Sequence, residues 1–217
     1  MIERIVCLVI GYAFGLFQTA YFYGKAKGID IRQHGSGNSG TTNALRVLGT
    51  KAGLIVFAGD CIKCILAVCA VRLLFGASRS EIIYLLCIYA ATGAILGHNF
   101  PFYMNFKGGK GIAATAGLIL SLHPVFIPVG VILFFGTFIL THYVSLGSLL
   151  VYTGLMIQMV VCGQSGLFGM NQGQLNEMYL VTAFLAVMAF WKHRTNIVRL
   201  VKGEERKTYL CKKNQAD

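Results

Sequence analysis

The stretch GIAATAGLILSLHPVFIPVGVILFFGTFIL, residues 111–140, decides how many times this chain crosses a membrane. It carries no formal charge and exceeds the roughly 20 apolar residues that one crossing needs. His123-Pro124 near its middle suits a sharp connection. Divided there, it supplies two short crossings, residues 111–122 and 125–140; read as one kinked or re-entrant element, it supplies one. Working outward, apolar runs at residues 5–23, 52–74 and 82–100 precede it, and runs at 146–161 and 178–191 follow. Polar loops at 25–51, 101–110 and 162–177 separate them. The choice is therefore between seven crossings and six.

The basic residues settle that choice, because Lys and Arg collect on the cytoplasmic side. With seven crossings and the amino end outside, the inner segments hold Lys25, Lys27, Arg32, Arg46 and Lys51, then Lys107 and Lys110, then Lys192, Arg194, Arg199, Lys202, Arg206, Lys207, Lys212 and Lys213. These are fifteen of the nineteen basic residues, and six crossings would place the eight of the tail outside. The expected architecture is an all-α integral membrane protein with seven transmembrane helices, N-terminus outside and C-terminus cytoplasmic, forming one polytopic domain over residues 1–217. Composition agrees: 56% hydrophobic and 12% charged residues in 217, with mean hydropathy +0.66, are too apolar for a soluble domain. A net charge of +11 in a soluble protein would suggest nucleic acid, but no basic-aromatic pattern for it exists, and here the charge sets topology and meets anionic headgroups or substrates. The first apolar run lacks a small-residue cleavage site and reads as a retained helix. The seven cysteines lie mostly within apolar runs and lack zinc-ligand spacing.

Immediately before the deciding stretch stands Phe106-Lys107-Gly108-Gly109-Lys110-Gly111. Its glycines can take positive φ and expose N–H groups, its lysines add charge, and the following helix points its positive end at the same spot, a phosphate-binding design. A cytosolic connector with glycines for the turn would read the same way, whereas Walker spacing is absent. What favours a site is that two other polar segments fall on the same side. The first loop contains Gly35-Ser36-Gly37-Asn38-Ser39-Gly40-Thr41-Thr42-Asn43-Ala44-Leu45-Arg46, a dense set of donors ending in an arginine able to grip a phosphate bidentately. The tail contains Lys192-His193-Arg194-Thr195-Asn196-Ile197-Val198-Arg199; if the last helix continues through it, His193, Asn196 and Arg199 share one face.

Asp60 and Lys63 sit at helical spacing inside the second run, where ionisable residues are costly and are expected to pair and face the bundle interior. That pair is either structural or a substrate contact. His34 and His98 stand at loop edges and can line a site, His123 reads as a connector, and His142 is undecided. No Asp/Glu cluster suits magnesium, and no histidine has an Asp five positions on, so the H-x-x-x-x-D arrangement of thioester-using acyltransferases is missing. No metal and no cofactor are expected.

Together SGNSGTTN, GHNFP with FKGGKGIA, and HRTNIVRLVKGEE resemble the three motifs of the PlsY-type membrane glycerol-3-phosphate acyltransferases, which use acyl phosphate as donor. The resemblance runs from about residue 25 to 205 and includes KGIDIR at 27–32, Asp60 with Lys63, and Tyr143-Val144-Ser145-Leu146. It implies a bacterial plasma (inner) membrane enzyme of seven spans with its active site at the cytoplasmic face. By position it implies that Ser36, Asn38 and Arg46 serve catalysis or substrate phosphates, that residues 107–111 bind glycerol 3-phosphate, that His193 and Asn196 are catalytic, and that Glu205 supports structure. Asn43, Ser145, Arg194, Asp60 and Lys63 are further candidates. Two departures stand out: Gly15-Leu16-Phe17-Gln18 replaces the family's Gly-Ser-Ile-Pro turn, and Cys64 replaces a glycine.

The reaction implied is acyl transfer from acyl phosphate to the 1-hydroxyl of glycerol 3-phosphate, giving lysophosphatidic acid and phosphate, by a monomer whose partners are those substrates and the bilayer. A mixed anhydride is already activated, so the protein has to hold two phosphates, polarise a carbonyl and remove a proton; His193 or a substrate phosphate is the base. The alternative from another class is a transporter or channel for an organic phosphate, against which stand motifs clustered at one face and no internal repeat. A structural subunit would leave the Gly/Asn/Lys spacing unexplained.

Overall fold

A computed structural model describes residues 1–210; Cys211, Lys212 and Lys213 of the basic tail lie outside the described residues. Among the described residues every regular element is helical: α1 (Ile2–Gly15), α2 (Thr19–Ala26), α3 (Thr41–Leu48), α4 (Thr50–Phe75), α5 (Ile83–Asn99), α6 (Ile112–Leu122), α7 (Phe126–Thr141), α8 (Val144–Gln164), α9 (Gln172–Lys192) and α10 (Arg194–Lys202). Five segments are long and apolar enough to cross a membrane: Ile2–Ala26, Thr50–Phe75, Ser80–Met104, Val144–Gln164 and Gln172–Lys192. The deciding stretch forms two shorter apolar helices, α6 and α7, parted where His123 is extended.

Three boundaries differ from the sequence expectation. The first run is broken at residues 16–18, the position of the departure from the family turn. Without a proline the chain still breaks here, because Gln18 Nε2 donates to the carbonyls of Gly15, Gly97 and His98 and Lys63 Nζ donates to that of Phe17. The expected loop at 162–177 is mostly helix: α8 runs to Gln164, and Asn171 with Gln174 forms a reciprocal capping box that starts α9, a signal able to outweigh local polarity. The loop at 25–51 contains α3, whose Leu45 packs over Gly53 of α4.

Two helix pairs frame the molecule. Helices α1 and α5 touch backbone to backbone: a Cβ on Gly11 would lie 1.9 Å from the Ala90 carbonyl oxygen, and one on Gly93 2.1 Å from that of Leu8, the close approach that small residues permit between membrane helices. Helix α6 lies beside α4, running the same way. Cys61 Sγ donates to the Ala113 carbonyl, a Cβ on Gly117 would meet Cys64, and Arg72 reaches the carbonyls of Ser121 and Leu122. The Cys64 departure is thus accommodated by a glycine opposite it. Because Ala113 sits level with Cys61, α6 begins eleven residues into α4, or about 16 Å from the level of Thr50 at 1.5 Å per residue. Its amino end is set deep inside the bundle.

Candidate active site

Above that recessed end lies a cavity of about 640 Å³. Its lining changes character along its length. Leu54, Phe57, Phe134, Phe135 and Phe138 form an apolar part, from α4 and α7. Residues of the first loop, of α6, of α8 and of the tail form a polar part. Leu54 is 62% and Phe135 46% exposed, so the apolar part reaches the outer surface of the bundle between α4 and α7.

Four helices bring their amino ends to the polar part. Thr41 and Thr42 open α3, Ile112 and Ala113 open α6, Val144 and Ser145 open α8, and Thr195 and Asn196 open α10. Among the described residues none of the four has a side-chain cap. Each helix therefore contributes first-turn N–H donors and the positive end of its dipole, a setting that favours an anion. Arg46, Lys110, Arg199 and Arg206 line the same space.

One carboxylate organises these groups. Glu205 Oε1 accepts from Ser145 Oγ at 2.9 Å and from Asn196 Nδ2 at 2.7 Å, while Oε2 accepts from Arg199 Nε at 2.8 Å. Burial pushes this carboxyl up, but the hydrogen bonds from Arg199, Asn196 and Ser145 outweigh it and leave the carboxyl below its ordinary value. Asn196 also accepts from Lys110 Nζ through Oδ1. Burial brings the Lys110 ammonium down to about 8; Glu205 opposes this, and Arg199, Lys192 and Arg46 add to it. His193, 3% exposed, sits at the joint between α9 and α10, so the helix is interrupted there, yet His193, Asn196 and Arg199 still line the same cavity. Its Nδ1 lies 2.8 Å from the Ala189 carbonyl oxygen. A carbonyl can only accept, so Nδ1 carries the proton and Nε2 the lone pair. Burial, and after it Lys110, lower this imidazole to about 4.

The first loop is built on Asn43. Its Nδ2 donates to the carbonyls of Ile31 and His34, and its Oδ1 accepts from the Ser36 N–H at 2.8 Å. Asn43 is thereby a scaffold whose amide is engaged, holding Ser36 and Asn38 at the cavity wall. The Arg46 guanidinium is reached by residues 203–210, a strap that returns from α10 across the cavity: its Nη2 donates to Thr208 Oγ1 at 2.6 Å and to the Arg206 carbonyl at 3.3 Å. Burial and then Arg206 lower Arg46 below its ordinary value.

The glycine–lysine loop differs from its sequence reading. Gly108 N–H donates to the Asn99 carbonyl and Gly109 N–H to that of His98, so these donors close the carboxyl end of α5 instead of facing a ligand. A Cβ on Gly108 would fall 2.1 Å from the His98 carbonyl oxygen and one on Gly109 2.1 Å from His98 Nε2. Close backbone approach is what these glycines supply. Lys107 is exposed, and neither it nor Gly108 or Gly109 lines the cavity, whereas Lys110 and Gly111 do. Arg194 is also turned away, exposed and stacked on Trp191 at 4.6 Å.

Asp60 and Lys63 pair at 2.8 Å, both almost fully buried. His98 Nδ1 stands 2.8 Å from Lys63 Nζ, and Thr19 Oγ1 donates to Asp60 at 3.0 Å. Asp60 and His98 reach the cavity wall, as the sequence reading allowed for His98. His34 is exposed and outside the lining, and His142 takes a left-handed conformation at the end of α7. Sequence reasoning missed Ser148, Arg206 and Thr208 and the apolar wall of α7. Beyond Glu205, which the third motif includes, the strap's only signal was its polar, basic composition.

Residues 5–203 match the protein family described as glycerol-3-phosphate acyltransferase; the strap lies largely beyond the match. A glycerol-3-phosphate acyltransferase of Halalkalibacterium halodurans is 40% identical over 92% of this chain and 93% of its own length. One of Crocosphaera subtropica is 38% identical over 91% and 90%. The crystal structure of PlsY, an integral membrane glycerol 3-phosphate acyltransferase, in its glycerol 3-phosphate form superposes with a TM-score of 0.80 at 27% identity, covering 95% of this chain and 96% of that one. Its lysophosphatidic acid form gives 0.78 at 26%.

Proposed function

The chain belongs to the glycerol-3-phosphate acyltransferase family of PlsY type, and on that premise we propose that it takes its acyl group from an acyl phosphate. The 1-hydroxyl oxygen of glycerol 3-phosphate attacks the acyl carbonyl carbon, the bond from that carbon to the phosphate oxygen breaks, and lysophosphatidic acid and inorganic phosphate leave. The observation that carries this reading is the gathering of four uncapped helix amino ends with Arg46, Lys110, Arg199 and Arg206 around one cavity. Such a site binds phosphate groups without a divalent ion, and both substrates bear one.

Within it Lys110, Arg46 and the amino end of α6 hold phosphate. Ser36 and Asn38 donate to the substrates from the first loop. Asn196, fixed between Lys110 and Glu205, keeps Lys110 oriented. His193 Nε2 accepts the proton of the attacking hydroxyl; its imidazole is neutral at pH 7, as a base must be, and of the two influences that weaken it, burial first and the Lys110 charge second, bound phosphates offset the second. The apolar part of the cavity takes the acyl chain, entering sideways between α4 and α7. Gly108, Gly109 and Lys107 act through the placement of Lys110 and Gly111, not through their own N–H groups. The domain is a monomer of seven spans, residues 1–217, in the bacterial plasma membrane, with α6 and α7 as its two short crossings, the amino end outside and the site at the cytoplasmic face. The carboxyl tail is cytoplasmic.

The test is acyl transfer to labelled glycerol 3-phosphate by the purified protein in detergent without added metal. Palmitoyl phosphate, palmitoyl-CoA and acyl carrier protein thioester are compared as donors. Lysophosphatidic acid from palmitoyl phosphate alone is expected. Product from a thioester would overturn the donor assignment.

A further inference from the structure

We propose that the strap of residues 203–210 belongs to the working phosphate site, with Thr208 as the positioning residue for Arg46. Arg46 projects from the last turn of α3, a helix of eight residues, on a long side chain whose ordering costs rotamer entropy. Its Nη2 protons are the ones held, by Thr208 Oγ1 at 2.6 Å and the Arg206 carbonyl at 3.3 Å. The donors at Nε and Nη1 are then oriented as a consequence, because the guanidinium is a rigid plane. Phosphate meets an arginine already placed.

Thr208 is able to do this because it is itself fixed. It is 2% exposed. Its N–H donates at 2.9 Å to the carbonyl of His142, the residue that ends α7 with φ 61°, and the His142 ring packs on Tyr209 at 4.7 Å between centroids. Two residues further on, Thr50 Oγ1 at the start of α4 donates to the Leu210 carbonyl at 3.0 Å. On the other side, Glu205 ties the strap to Ser145, Asn196 and Arg199. One short segment therefore joins α3, α4, α7, α8 and α10 around the cavity, and it brings Arg46 to the same ligand space as Lys110. Arg46 and Arg206 repel each other there, so the hydroxyl and the carbonyl also supply the oxygen atoms that let the guanidinium remain.

This inference rests on Arg46 being a phosphate ligand, and the experiment separates the two. Steady-state kinetics in glycerol 3-phosphate and inhibition by inorganic phosphate are measured on the full chain and on Thr208→Val, Thr208→Ser and Arg46→Gln, with thermal unfolding in detergent as a control. Thr208→Val is expected to raise the KM for glycerol 3-phosphate about tenfold, the size of one lost hydrogen bond to a charged group, while kcat stays within about twofold and Thr208→Ser restores KM. If Arg46→Gln raises KM but Thr208→Val does not, the strap has no positioning role and the inference fails. If Arg46→Gln leaves KM and phosphate inhibition unchanged, the phosphate assignment itself fails. A Thr208→Val variant that loses kcat and thermal stability together, or that Ser does not rescue, shows a merely structural contact and also overturns the proposal.

Discussion

Lys110 and Asn196, 86 residues apart, are joined by a hydrogen bond from Nζ to Oδ1, and it ties the glycine–lysine loop to the start of α10. Asn196 accepts on one side from Lys110 and donates on the other to Glu205, so its amide has a single orientation. The lysine in turn is held over the amino end of α6 and is not free to leave for solvent.

The Lys110 ammonium, brought down to about 8 mainly by burial, gives a pH dependence whose sign is fixed. Below that value the lysine is charged and, in the role proposed for it, attracts phosphate; above it the charge is lost. The KM for glycerol 3-phosphate should rise above about pH 8 with kcat less affected. In Lys110→Arg, whose guanidinium does not titrate in this range, the rise should vanish, and pH profiles of both proteins test it.

His193→Gln replaces the imidazole base with an amide that takes no proton at neutral pH. Turnover should fall by roughly 100-fold or more, the scale of general base catalysis, with the KM for glycerol 3-phosphate within about threefold. Wild-type kcat in the variant would hand the proton to a substrate phosphate.

Gly108→Ala forces a Cβ to within 2.1 Å of the His98 carbonyl, a backbone atom that cannot swing aside. Thermal unfolding should shift down by several degrees, the consequence of a loss of about 2 kcal/mol or more in a domain of this size, and activity should fall with it. Lys107→Ala, at an exposed site beside it, should leave KM within about twofold; a large effect there would restore the wider reading of the loop.

Breaking the buried pair is costlier than deleting it. Asp60→Asn leaves Lys63 without its counter-charge and should destabilise by roughly 3 kcal/mol, whereas Asp60→Asn combined with Lys63→Met should recover part of that loss. Unfolding midpoints of the single and double variants in detergent decide it.

Much of this was legible in the sequence. Apolar length and basic bias located the hydrophobic segments, and the division at His123-Pro124 was visible because a proline after a histidine interrupts both periodicity and hydrogen bonding. Ser36, Asn38, Arg46, Lys110, His193 and Asn196, which the fold brings to one cavity, stood out as polar segments beside lipid-facing runs and through their likeness to the family motifs. The use of Gly108 and Gly109 was not legible: a glycine that exposes its N–H and one that admits a neighbouring carbonyl look alike in one dimension. Nor was Thr208, a hydroxyl in a basic tail whose partners lie far away along the chain. The break at residues 16–18 escaped for a similar reason, since the amide and ammonium groups that stabilise it come from Gln18 and Lys63.

The glycine contact between α1 and α5 divides the molecule into a stiff half and a pliant one. With carbonyls seated where side chains would stand, neither helix can slide or rotate against the other without backbone collision, and the Lys110 loop follows directly from α5. That side of the cavity is therefore an anvil. The opposite wall is α7, where residues Ile132–Gly136 wind with a wider π turn and few buried side chains anchor the helix. Of the cavity's walls, α7 is the one with the least packing to lose if the apolar part has to widen.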